Sequence, residues 1–293
     1  MKSNFHTIAE NFLLTLLSIG KIILMSSFSL KFEKSSTAKC AILGNGPSFN
    51  DSFEKYKLQF SDSDIDLFAV NYFCESDRFE YLKPKNYVLN APEFWLPKVS
   101  ERHETKRKEL INLIVSKTKW EMTIFMPHVS QKYKWFQDSL LANKLIKVIH
   151  YNSTPVEGFK FFTSLMFDKK LGMCRPHNVL IPSLFIGIYR KYEEIYLFGA
   201  DHSWIKNIYV SPQNEVYTKQ PHFYDSEVKA RPMYKYNKGV EKRRLHEFLE
   251  KMVYSFKAYF EINDYAKQKG IKIFNATPNS FIDAFDRKSL TDV

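Results

Sequence analysis

The sequence predicts an α/β fold, a mainly parallel twisted sheet with helices on both faces and a lid over one end. Short apolar runs at residues 38–43 (AKCAIL), 66–70 (DLFAV), 87–89 and 122–126 (MTIFM) recur with the spacing of strands joined by crossovers. A further run at 194–198 (EIYLF) follows an apolar helical stretch and ends abruptly at Gly199-Ala200-Asp201. Residues 206–237 show little periodicity and many Tyr, Pro, Lys and His residues, and so long a loop in a compact protein is usually a lid or binding loop.

The elements follow in order. Residues 1–36 form a hydrophobic N-terminal segment, in which 12–30 (FLLTLLSIGKIILMSSFSL) is apolar except for Lys21 and several serines. That approaches the roughly 20 residues a spanning helix needs. No small-residue cleavage site follows, and Lys31, Lys34 and Lys39 come next. The segment therefore reads as a retained interfacial anchor, with a helix docked on the protein's own surface as the alternative. Residues 37–293 then form one domain. The 38–43 run lies between a Ser/Thr-rich stretch and a Gly/Pro turn, as a buried strand does. Residues 98–117 are highly charged but carry Leu110, Leu113 and Ile114 at helical spacing. Residues 132–158 read as an irregular, aromatic-rich connection. An apolar helix over 179–189 leads into the 194–198 strand, whose carboxyl end is expected to deliver Asp201 and His202 to solvent, where open α/β sheets bind ligands. A long amphipathic helix over 240–270, closed by Gly270, precedes the last strand at 271–274.

Composition narrows the function classes. Of 293 residues, 44% are hydrophobic and 26% charged, which excludes disorder for most of the chain. Forty-three Lys and Arg against thirty-two Asp and Glu leave a charge of +11, attractive to anionic partners. The basic residues are scattered rather than striped, which favours a nucleotide or an anionic lipid surface and argues against nucleic acid. Cys40, Cys74 and Cys174 are widely separated and odd in number, so neither a disulfide framework nor a CxxC metal pair is present, and a reducing cytoplasm fits.

Gly44-Asn45-Gly46-Pro47-Ser48 directly follows the first strand, where glycines permit a tight turn and close approach of backbone amides to a phosphate or ribose. It is neither GxGxxG nor a GK[ST] phosphate loop. Asp62, Asp64 and Asp66 make two DxD patterns, but they precede a strand, which puts them at the end of the sheet away from the expected site and reads as a solvated turn. His202, at a strand's carboxyl end, and His222, three residues before Asp225, are the candidate general bases. No GxSxG, HExxH or kinase signature occurs.

These landmarks resemble one family, the bacterial CMP-sialic-acid-dependent sialyltransferases that decorate surface lipo-oligosaccharide. The similarity lies in GNGPS at 44–48, strand-end asparagines in FAVN (Asn71) and VLN (Asn90), the 192–201 stretch YEEIYLFGAD, and EFLEK followed by a strand and Pro278-Asn279-Ser280. The resemblance implies a Rossmann-like nucleotide-binding domain and an inverting, metal-independent glycosyltransferase that needs no cofactor beyond its CMP-sugar co-substrate. It further implies that GNGPS and the two asparagines hold CMP while lid tyrosines assist the leaving phosphate, with Tyr209 where one such tyrosine is expected. The chain departs from the family at the second tyrosine, near Ser203 and Trp204, and at the catalytic histidine, which would fall near 235–237. GAD at a strand end and Asn275-Ala276-Thr277 also resemble the MptE-like family, which implies Mg²⁺-dependent diphosphoryl transfer from ATP to a pterin. A non-catalytic membrane-surface binding protein is the third class.

The candidate site comprises His222, His202 and Tyr209 for catalysis and Gly44, Asn45, Gly46, Ser48, Asn71, Asn90, Asn178 and Asp201 for nucleotide binding, with no metal ligand. The expected partners are a nucleotide-sugar donor, a glycan or glycolipid acceptor and the inner face of the cell membrane. A homo-oligomer is compatible with the sequence, which does not fix the number of copies.

Overall fold

A computed structural model describes residues 4–225, 230–235 and 241–290. After a helix α1 (Asn4–Met25), the chain runs β1 (Lys39–Leu43), α2 (Phe49–Phe60), β2 (Ile65–Val70), α3 (Arg78–Leu82) and β3 (Asn86–Val88). It continues through α4 (Glu101–Lys117), β4 (Met122–Pro127), α5 (Lys134–Leu141), β5 (Ile146–Tyr151), α6 (Lys160–Asp168), α7 (Leu180–Tyr189) and β6 (Glu194–Phe198). Three short strands follow, β7 (Ile208–Val210), β8 (Val216–Thr218) and β9 (Arg231–Pro232), then α8 (Leu245–Gln268) and β10 (Lys272–Asn275).

Side-chain alternation along the strands sets the layers. Cys40 and Ile42 of β1 and Ile195 and Leu197 of β6 enter one core with residues of α1, α6, α7 and α8. Ala41, Leu43, Tyr196 and Phe198 enter a second core with α2, α3, α4 and α5. Between the cores lies a seven-stranded sheet in the order β10-β6-β1-β2-β3-β4-β5, with every pairing parallel. Strands buried on both faces read as continuous apolar runs, which is why β1, β2, β4 and β6 are legible in the sequence.

Two segments differ from the sequence reading. Residues 132–158 contain α5 and β5 rather than an irregular connection. β5 is an edge strand, and Lys147 is exposed within it, so its sequence IKVIHY lacks the unbroken apolar run of a central strand. Residues 206–237 are not structureless either: β7, β8 and β9 form an antiparallel sheet of their own, with strands of three, three and two residues that are too short to register a period. Residues 226–229 and 236–240, which include part of the expected lid, the 236–237 positions and the expected start of the last helix, lie outside the described residues.

Strand order also locates the switch point. From β1 the chain moves to β2 on one side, whereas β6 lies on the other side and leads outward to β10. The crevice outside the carboxyl ends of β1 and β6 is where a sheet of this kind takes a ligand. The loops 44–48 and 199–202 both open there.

Candidate functional site

The two switch-point loops are fitted to each other. The Gly44 amide donates to the Phe198 carbonyl (2.7 Å) and the Gly46 amide to the Gly199 carbonyl (2.8 Å). A Cβ on Gly44 would lie 2.5 Å from the Gly199 oxygen, and one on Gly46 would lie 1.9 Å from Asp201 Oδ2. The glycines therefore serve packing between loops, and the Gly46 amide expected to meet a phosphate is already used. Asp201 is likewise turned inward, a correction to its expected delivery to solvent. Its carboxylate accepts from the Ser48 amide (3.2 Å) and hydroxyl (2.7 Å) at the start of α2, and burial raises its pKa while those bonds oppose the rise.

His202 is corrected in the same way. It adopts a left-handed backbone (φ 52°) and turns its ring among Trp204, Phe256 and Tyr259. The Tyr259 hydroxyl donates to Asn178 Oδ1 (3.1 Å), so at 2.8 Å it must accept from His202 Nε2. Burial pushes the imidazole down to about 4, so it stays neutral and serves as a structural donor. The sequence placed it at the strand end, but Phe256 and Tyr259, which enclose it together with the nearby Trp204, come from a distant helix.

Asparagines complete a hydrogen-bonded rim around the carboxyl ends of the strands. Asn45 Nδ2 donates to the Val70 carbonyl (3.2 Å), and Asn71, also left-handed (φ 45°), accepts from the Asn90 amide through Oδ1 (3.3 Å). Asn90 accepts from the Tyr151 hydroxyl (2.9 Å) and donates to the Pro176 carbonyl (3.1 Å). Asn178 Oδ1 also accepts the Leu180 amide (3.0 Å), which ties α7 to Tyr259. Asn45, Asn71, Asn90 and Asn178 thus come together by linking loops. Among the described residues, Asn45 Oδ1 and His177 Nε2 on this rim are buried without a hydrogen-bond partner.

His222 stands closest to the arrangement expected of a base. Asp225 Oδ2 accepts from both the His222 amide and ring Nδ1, each at 2.9 Å, which leaves the lone pair on Nε2. The ring is stacked on Tyr224 (5.2 Å, 5°). Its neighbour Phe223 anchors the segment: the Phe223 amide donates to the Asn45 carbonyl (3.0 Å), and its ring packs on Phe49 (4.8 Å) and Phe73 (5.2 Å). The 221–225 segment is thereby fastened to the 44–48 loop through Phe223, next to His222. Tyr209 is placed otherwise, on the edge strand β7, where it is half exposed and stacked on Tyr217 (5.4 Å). No hydrogen bond or ring contact among the described residues joins it to Asn45 or His222.

Arg175, a loop cation visible in the sequence, is joined beside the rim by Lys251 and Arg243, which carried no signal there. Burial first, then Lys251 and Arg175, hold His177 down at about 4, with Arg243 adding to the effect. Lys251 is itself lowered by local desolvation, although the residue as a whole is exposed, and by Arg243. Arg175 has its own counter-ion in Glu157 (2.7 and 2.8 Å) and lies over Tyr254 (4.6 Å), whose ring also meets His177 (5.8 Å). With Arg175 paired to Glu157, Lys251 and Arg243 carry the positive field that acts on His177 and favours an anion there. His177 is far in sequence from Arg243 and Lys251, so only folding brings them together.

Asp62 and Asp64 sit in the turn before β2, at the opposite end of the sheet, and Asp66 is buried there, accepting from Ser35 (2.9 Å) and Tyr192 (2.6 Å). Among the described residues no cluster of three or more His, Cys, Asp or Glu side chains could hold a metal ion.

No family model and no curated protein matches the chain. Among solved structures, the MAf glycosyltransferase from Magnetospirillum magneticum AMB-1 is similar over 98% of this chain, with a TM-score of 0.48 and 11% sequence identity. This chain covers 39% of that protein's chain.

Proposed function

We propose that the chain is an inverting, metal-independent glycosyltransferase that moves an acidic sugar such as sialic acid from a CMP-activated donor to a surface glycan at the inner face of the cell membrane. The observation that supports it most is the His222–Asp225 pair, held through the Phe223 amide to the Asn45 carbonyl, with an oriented imidazole beside the loop at the β1/β6 switch point. In this reading His222 Nε2 takes the proton of the acceptor hydroxyl as its oxygen bonds to the anomeric carbon, and the bond from that carbon to the phosphate oxygen breaks to release CMP. Lys251 and Arg243, with His177 donating, balance the charge gathering on the departing phosphate or the sugar carboxylate. Asn45 and Asn178 meet the nucleotide through amide groups that donate and accept without adding charge.

Calorimetric titration of the full-length protein with CMP and with ATP, each with and without Mg²⁺, tests the reading. Metal-independent CMP binding supports it. ATP binding that requires Mg²⁺ replaces it with the diphosphokinase, and absence of both interactions replaces it with a non-catalytic role.

A further inference from the structure

Helix α1 is docked on the domain by its polar side. Asn11, Leu14, Thr15, Ser18, Lys21 and Ile22 recur at helical spacing and are the better covered positions. The Ser18 hydroxyl donates to the Glu157 carbonyl and accepts from the Glu157 amide, both at 2.9 Å, and Thr15 Oγ1 accepts from the Phe159 amide (3.1 Å). Gly158 permits this approach, since a Cβ there would stand 2.1 Å from Thr15 Oγ1. Lys21 lies 3.7 Å from Glu157. The opposite side carries Phe12, Leu13, Leu16, Leu17, Ile23 and Leu24, all exposed, Leu24 to 84%. Phe28 (70%) and Phe161 (74%) extend the patch, and Phe161 stacks on Phe159, whose amide meets α1.

We infer that this apolar face is a docking surface for an anionic lipid bilayer, with α1 lying in the plane of the interface and the domain held against the membrane. A water-facing helix would present its polar stripe outward, and α1 presents the reverse. Length alone would allow the helix to span, because its apolar stretch covers His6–Met25 with a mean hydropathy of 1.7. Spanning in this docked state would carry Lys21, Glu157 and the Arg175 paired with Glu157 into hydrocarbon, which charged groups resist. Lying flat keeps them at the headgroup level. Charge points to the anionic lipid: the chain carries +11, and Lys31 and Lys34 stand exposed a few residues beyond the helix, with Glu33 between them set against Lys147 (3.8 Å). This inference deepens the membrane location in the proposed function and does not depend on the transfer chemistry, which CMP binding tests separately.

Flotation of the full-length protein with vesicles of phosphatidylcholine, alone or mixed with phosphatidylglycerol, tests it. The protein is expected to float mainly with the mixed vesicles. Leu16→Glu and Leu17→Glu should each weaken partitioning by at least about tenfold, whereas Leu58→Glu, exposed on α2 across the sheet, should not. All three sites are exposed, so folding is preserved. Absence of flotation with the mixed vesicles, or unchanged flotation of the α1 variants, would overturn the inference. So would a lipid-free dimer that Leu16→Glu dissolves. Cysteines introduced by Thr7→Cys, exposed on the polar side of α1, and Ser29→Cys should react with an impermeant maleimide from the same side of a sealed vesicle, and the native Cys40, Cys74 and Cys174 are buried and do not compete. Reaction from opposite sides would overturn the in-plane arrangement.

Discussion

Acidification should destabilise the protein through His202, and His202→Asn should remove that sensitivity. The ring is buried and held at about 4 against 6.5 for an ordinary histidine, so the folded state favours the neutral form. A depressed histidine contributes stability that is fully present above the unfolded value and is lost as pH falls from about 6.5 toward 4. Linkage over that window gives a loss of about 2 kcal/mol between pH 7 and pH 5, growing to about 3 kcal/mol at pH 4. Asn tolerates the left-handed backbone at this position, and its amide can still face the Tyr259 hydroxyl. His177 and His150, also held at about 4, titrate in the same window, so the quantity that isolates His202 is the difference between wild type and variant. Urea unfolding at pH 7 and pH 5 measures it. The wild type should lose about 2 kcal/mol more than His202→Asn over that interval. Equal losses would show that His202 protonates freely in the folded state and would return it to the list of candidate bases.

Other expectations follow from the same geometry. Gly199→Ala places a Cβ on a residue at φ 59° and 2.3 Å from the Gly44 oxygen, so the left-handed strain and the displaced loop should together cost about 2–4 kcal/mol. Scanning calorimetry should register this as a fall in Tm of roughly 3–7 °C. His222→Ala should lower kcat for CMP release about 10²- to 10⁴-fold with little change in CMP affinity. Asp225→Asn, which leaves the ring in place but withdraws its carboxylate, should lose part of that rate, and full activity in either variant would remove the pair from catalysis. Lys251→Ala and Arg243→Ala should each weaken CMP binding, and the salt dependence of the titration should flatten with them if the two cations face the phosphate.

The limits of sequence reading here are specific. GNGPS and GAD were visible as loops after strands, but their mutual fit was not, because it depends on β1 pairing with β6 across about 150 residues of chain. The His222–Asp225 pairing was legible because three residues separate them in one turn. The covering of His202 was not, since Tyr259 and Phe256 arrive from α8. Tyr209 was placed by resemblance alone, and its position on the edge of a small sheet depends on strands too short to leave a pattern.

By itself the sequence determined the layers, because strands buried on both faces and helices buried on one must carry runs and periods that survive as local patterns. It determined, too, that a nearly uninterrupted apolar segment leads the chain. Only the tertiary structure decided which polar atoms are satisfied within the protein and which remain for a ligand. That distinction turned Asp201 and His202 inward, tied His222 to the Asn45 loop and set the apolar face of α1 outward. Hydrogen-bond pairing and burial are properties of residues distant in the chain and adjacent in space, and no local spacing records them.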